Sequence, residues 1–293
     1  MLYPLVLIGG VLAVGAGALF VRIGLEAGMT PLQLSLWRLT LASLLLGIWA
    51  VFYQPDSPGL NAKDRARLTL AGICLAFHFV TWMTSLEYIS VARSTLLVSI
   101  TPVFAGILGL FVPAMRPTKS FWIGLAIAAF GVVLVTKPAT HGPMGHGSFW
   151  VGDGMAIAGA LLILPYLLLS QRVQEEHGTA RTVTWIYSSA AVCLWIVALS
   201  VGQQTVPSNP SMWLAVGGMA LFPQLVGHTV FNWSLRHFTA GQVASATLLE
   251  PVFAAILAWI FLAERIDAPS ALGGAILLAG VLVTLKKPHR EVC

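Results

Sequence analysis

Apolar residues arrive in long unbroken blocks with no alternation of apolar and polar positions. The blocks cover residues 3–23, 34–52, 68–88, 95–112, 121–136, 150–170, 183–201, 213–235, 243–263 and 271–285. A bilayer core of about 30 Å takes about 20 residues of helix, and a chain in lipid has to satisfy its own backbone polar groups. The pattern therefore predicts an all-α integral membrane protein with ten transmembrane helices. The linkers are short and hold the expected breakers, Gln54-Pro55-Asp56-Ser57-Pro58-Gly59 and Thr140-His141-Gly142-Pro143, so no soluble domain fits between spans. Ala16 and Ala18 give the first block the small residues of a secretory signal. It lacks a basic segment before its apolar run, and it is expected to stay as the first helix.

Charge placement orients these spans. With the N-terminus, the even-numbered loops and the C-terminus on one side, that side collects Lys63, Arg65, Arg67, Arg116, Lys119, Arg172, Arg181, Arg236, Lys286, Lys287 and Arg290, eleven of the sixteen Lys and Arg. Arg22, Arg38, Arg93, Lys137 and Arg265 fall on the other. The positive-inside bias then predicts cytoplasmic termini and a multi-pass protein of the cell's inner membrane. Composition agrees, with 57% hydrophobic and only 9% charged residues against about 25% charged in soluble domains. A net charge of +5 suggests no nucleic-acid partner, because it forms no basic run or aromatic-studded groove. Cys74, Cys193 and Cys293 show no metal or disulfide spacing.

The sequence also repeats itself. A shift of 149 residues lays Ser85-Leu86 on Ser234-Leu235, Pro102-Val103-Phe104-Ala105 on Pro251-Val252-Phe253-Ala254, Gly124 on Gly273, and Gly131-Val132 on Gly280-Val281. Five spans per repeat is an odd number, so the halves, 1–140 and 150–293, are expected to lie in the membrane with opposite orientations. Inverted repeats are a common design of secondary transporters, with a midplane site between the halves.

The runs HFVTWMTSLEYISVARSTLLVSITPVFA from His78 and ATLLEPVFAAILAWIFLAERI from Ala246 resemble the EamA-type branch of the drug/metabolite transporter superfamily, over essentially the whole chain. The resemblance implies a ten-helix carrier of small metabolites with a central cavity lined mainly by the third, fourth, eighth and ninth helices. It also implies export as the direction, and leaves the substrate open.

Ionisable and polar groups at membrane depth are costly, which makes each a candidate. Glu250 lies inside the ninth span just before Pro251, where its repeat mate is the uncharged Thr101 before Pro102. Its carboxylate is the proton-coupling candidate, or else a packing partner of Arg38. Arg38 either snorkels to water or clamps a substrate carboxylate, and with Glu250 it would recognise a zwitterion. Cys74, His78, Trp82 and Ser85 recur at helical spacing on the third span, and Gln224, His228 and Asn232 on the eighth. Both stripes are candidate cavity linings, against the alternative of interhelical hydrogen bonding. Tyr166 beside Pro165 is a weaker candidate, and Pro102, Pro165, Pro223 and Pro251 are expected helix kinks.

No nucleophile with a base, HExxH, GxSxG or paired-carboxylate site assembles, so an enzyme is not expected, nor a metal or cofactor. The remaining rivals are a facilitative uniporter or exchanger, or a channel, for another small metabolite or drug and without proton coupling. The expected partners are a small amphipathic solute, with an amino-acid-like one favoured, the lipid bilayer and protons, in a monomer or homodimer.

Overall fold

The computed structural model describes residues 2–53, 59–89, 91–111, 117–135, 148–262 and 268–285. The linker residues 54–58 and 140–143, and the basic residues Arg116, Lys137, Arg265, Lys286, Lys287 and Arg290, lie outside these. Every regular element described is helical. In chain order they are α1 (Leu2–Gly15), α2 (Gly17–Glu26), α3 (Pro31–Tyr53), α4 (Ala62–Tyr88), α5 (Val91–Val98), α6 (Thr101–Phe111), α7 (Lys119–Val135), α8 (Phe149–His177) and α9 (Thr179–Ser200). There follow α10 (Pro210–Met219), a π-helical segment (Ala220–His228), α11 (Thr229–Ser234), α12 (Ala240–Ala246), a 3-10 turn (Thr247–Leu249), α13 (Glu250–Leu262) and α14 (Ala268–Thr284).

Among the described residues, six helices are long and apolar enough to cross a membrane: Leu2–Glu26, Pro31–Trp49, Ala62–Tyr88, Phe149–His177, Thr179–Ser200 and Pro210–Ser234. The fourth, fifth, ninth and tenth apolar blocks are shorter or interrupted. The fourth breaks at Ser99 and Ile100, and the ninth at the 3-10 turn. Pro102 and Pro251 each stand second in the piece that follows, where a ring without an N–H fits the first helical turn. Pro165, by contrast, sits within an uninterrupted α8, and Pro223 lies inside the π-helical segment.

Local chemistry sets several boundaries. Asn61 caps α4 by accepting the Asp64 N–H at 2.8 Å, and Asn209 caps α10 through the Met212 N–H at 3.0 Å. Thr239 and Gln242 form a reciprocal capping box at α12. Gly178, at φ 78°, is the single link between α8 and α9, a conformation that costs a side-chain-bearing residue strain.

The helices pack as two equivalent sets. α4 lies along α8 as the π-helical segment and α11 lie along α1, and α5 and α6 touch α8 as α12 and α13 touch α1. α3 pairs with α9, and α7 with α14. At the α7–α14 seam the main chains themselves meet. A Cβ on Gly124 would lie 2.6 Å from the Gly280 carbonyl oxygen, and one on Gly131 2.6 Å from the Leu277 nitrogen. The outside is covered by large apolar side chains such as Leu44, Ile48, Phe130, Val133, Ile196 and Leu272, a surface suited to lipid. The interior instead holds buried Arg38, His78, Gln224, His228 and Asn232.

Charged ties hold the ends of α8. Arg93 grips Asp153 with two bonds, of 2.7 and 2.6 Å, joining α5 to the start of α8. At the other end the His177 ring stands 3.3 Å from Asp64, which also accepts from Arg67 at 3.0 Å.

Candidate functional site

Residues at the helix interruptions line a cavity enclosing about 610 Å³ of empty space, its open side included. Val14 and Gly17 flank the α1–α2 break and Ser99 lies in the α5–α6 break. Thr247 opens the 3-10 turn and Glu250 follows it, while Pro223 and His228 belong to the π-helical segment. Arg38, His78, Phe79 and Trp82 complete the polar and aromatic part of the wall, with Ile163 and Leu167 on the apolar side.

Arg38 does not snorkel, for it is 1% exposed. Its guanidinium lies over the Phe79 ring, 3.8 Å from Cζ to the ring centroid, and its Nε donates to Gln224 Oε1 at 2.9 Å. Its second terminal nitrogen is buried and has no hydrogen-bond partner. Glu250, partly buried at the first turn of α13, faces the same cavity. Among the described residues no ion pair within 4.0 Å joins it to Arg38, and no side-chain hydrogen bond reaches its carboxylate. A guanidinium and a carboxyl group thus line one low-dielectric space without bonding each other.

His78 stands 2.9 Å from the Gly159 carbonyl oxygen, which only accepts, so Nδ1 is the donor and Nε2 is left as an acceptor. His228 packs edge-on to Phe79, at 5.0 Å between centroids and 88° between planes, and its Nδ1 is unpartnered. Trp82 Nε1 and Ser99 Oγ are further buried polar atoms without partners on lining residues. Unpaired buried polar atoms are rare in folded proteins, which makes this cluster beside the cavity the strongest candidate for a binding site.

The other candidates sit behind the wall. Gln224 is fully buried and holds Arg38, while its main-chain carbonyl accepts from the Tyr187 hydroxyl at 3.3 Å. Asn232 donates to the Tyr166 hydroxyl and, at 2.9 Å, to the His228 carbonyl. Ser85 does not reach the cavity: its hydroxyl bonds the Trp82 carbonyl and Ser94, both at 2.6 Å, tying α4 to α5. Cys74 and Cys193 are free thiols outside the lining. Asp64, Glu176 and His177 bring three ligand-type atoms within 4.8 Å, but Asp64 is already engaged by Arg67 and Asn61. That group reads as the tie between α4 and α8.

Phe79, Ser99 and Thr247 were not evident as candidates, although the repeat offset points to Phe79. Shifted by 149 residues, five lining positions fall on five others: Val14 on Ile163, Phe79 on His228, Trp82 on Phe231, Val98 on Thr247 and Thr101 on Glu250. The same shift carries Arg38 to Tyr187, so both members of that pair bond Gln224.

A model of the EamA-like transporter family matches residues 1–137 and again 150–286, one copy per half. An uncharacterized transporter of Archaeoglobus fulgidus is 27% identical over 276 residues, covering 93% of each chain. A protein of Streptantibioticus cattleyicolor named "Probable terminal-alkyne amino-acid exporter" is 25% identical, over 90% of this chain and 86% of its own. A solved crystal structure shares the fold at a TM-score of 0.76 and 16% identity, over 96% of this chain and 95% of the other.

Proposed function

Because the chain belongs to the EamA-like transporter family, we propose that it is a ten-span carrier of two inverted five-helix repeats, 1–140 and 150–293. It moves a small amphipathic, amino-acid-like solute across the inner membrane by alternating access, with both termini cytoplasmic and export as its direction. One observation supports the substrate class: Arg38 and Glu250 line the same cavity without an ion pair between them, and one guanidinium nitrogen of Arg38 has no hydrogen-bond partner. A zwitterion's carboxylate and ammonium would meet these two groups, and its side chain would lie against Trp82, Ile163 and Leu167. The relative named for amino-acid export supports the same class. In the carrier cycle the two halves rock about the seam, presenting this cavity to each side in turn. Glu250 exchanges a proton with whichever side it faces, and a carboxylate without a fixed partner is suited to that exchange.

Uptake of radiolabelled neutral amino acids into proteoliposomes, with and without a pH gradient, tests this reading. Wild type is expected to show saturable, gradient-stimulated uptake. Glu250→Gln is expected to lose that stimulation, about tenfold for a gradient of one pH unit, which is worth about 1.4 kcal/mol per coupled proton, while counterflow exchange persists at lower affinity because the partner of the solute's ammonium group is gone. Saturable uptake indifferent to the gradient removes proton coupling and leaves a facilitative carrier. Non-saturable flux without trans-stimulation would indicate a channel.

A further inference from the structure

We propose that Phe79 is the positioning residue of the site: its ring keeps the Arg38 guanidinium apart from Glu250, so that a solute rather than the protein itself completes the charge pair. This rests on the zwitterion reading above and adds to it the reason why the two charges stay separate. A guanidinium attracts an ionised carboxylate strongly across a low-dielectric cavity, and an arginine side chain has the length and freedom to follow that attraction whenever Glu250 releases its proton. Something has to hold it back. Glu250 stands in the first turn of α13, and no side-chain bond draws its carboxyl toward Arg38. The restraint that can be identified acts at Arg38, where two contacts are present. Phe79 lies beneath the guanidinium face at 3.8 Å, and Gln224 takes its Nε proton at 2.9 Å.

Phe79 is itself held. It is 1% exposed on α4, and the His228 ring abuts it edge-on at 5.0 Å, fixing the plane on which the guanidinium rests. A flat cation over an aromatic face is directed by the ring as well as attracted to it. An aliphatic residue of similar bulk fills the space but gives no face to lie on. In a Phe79→Leu protein, Arg38 is then free to turn to Glu250, and the resulting internal ion pair competes with the carboxylate of the solute.

Binding of leucine and of N-acetyl-leucine to purified protein, followed by isothermal calorimetry, separates this role from packing. N-acetyl-leucine has a carboxylate but no ammonium group, so it reports on Arg38 alone. Phe79→Leu is expected to weaken both ligands by about tenfold, the scale of one desolvated cation–π contact. Phe79→Tyr keeps the face and is expected to remain within about threefold of wild type. The deciding measurement is Phe79→Leu combined with Glu250→Gln. With no carboxylate to capture Arg38, N-acetyl-leucine binding is expected to return to within about threefold of the Glu250→Gln single variant. An undiminished defect in that background overturns the role and makes Phe79 an ordinary wall residue, as does a Phe79→Leu protein that binds like wild type. Phe79→Met provides the same comparison if the leucine variant does not fold. Failure of wild type to bind either ligand overturns the zwitterion reading and this inference with it, whereas normal wild-type binding without the coupling overturns this inference alone.

Discussion

Arg38→Lys is expected to lower the kcat/KM for a neutral amino acid by about a hundredfold, or about 2.7 kcal/mol, while leaving the protein folded. The charge survives, but the planar fork does not. Lysine cannot lie on Phe79, donate sideways to Gln224 and still offer a further N–H in a fixed direction, as Arg38 does with contacts of 3.8 and 2.9 Å and one free terminal nitrogen. Charge-assisted hydrogen bonds are worth about 1.5–3 kcal/mol each, so losing the oriented one accounts for the whole effect. Saturation kinetics in proteoliposomes check it. A lysine variant with wild-type kinetics would reduce Arg38 to a helix-packing residue.

A leucine at position 280 is expected to cost the folded protein itself. A Cβ there would stand 2.7 Å from the Gly124 carbonyl oxygen and 2.8 Å from the Ala128 Cα, and Gly124 and Gly131 meet α14 main chain just as closely from the other side. These neighbours are backbone and cannot turn aside, so α7 and α14 would have to separate along their length. Overpacking of this kind costs about 1–3 kcal/mol where side chains can yield, and more where they cannot. In lipid no hydrophobic force presses the two helices back together. Thermal unfolding followed by size-exclusion chromatography in detergent is expected to show Gly280→Leu aggregating well below wild type. Gly47→Ala on α3, where a Cβ meets nothing within 4 Å, is expected to leave the transition unchanged or slightly raised. Equal behaviour of the two variants would mean that the seam tolerates separation.

The apolar blocks could be read from the sequence because a bilayer imposes its thickness on the chain one segment at a time. Their interruptions were harder to see. Pro102 and Pro251 mark breaks, but they stand just after them, in the first turn of the following helix, while Ser99 and Thr247 in the breaks themselves line the cavity. Pro223 likewise gave only a kink, whereas a nine-residue π-helical segment turns His228 to the cavity and leaves Gln224 and Asn232 behind it. Equal helical spacing was therefore a poor guide on that helix. It also failed at Ser85, three residues beyond Trp82, where the α4 face has already turned toward Ser94. Arg38 remained between snorkelling and clamping because its restraints come from two other helices, 41 and 186 residues away in the chain. No local pattern reports contacts that distant. Phe79 is one of fourteen phenylalanines, and only the offset that pairs it with His228 distinguishes it.

That offset pairs positions without pairing chemistry. Phe79 answers to His228, Thr101 to Glu250 and Arg38 to Tyr187, so the two halves share a frame but line it unequally. Two identical halves would make the inward-facing and outward-facing forms mirror each other, equal in energy and indistinguishable to a solute. Unlike linings lift that degeneracy. In an alternating carrier built this way, the two faces of the membrane meet sites of different affinity. Detailed balance still forbids a net flux without a gradient, so the asymmetry decides at what concentration each side saturates and leaves the direction of net movement to the gradients.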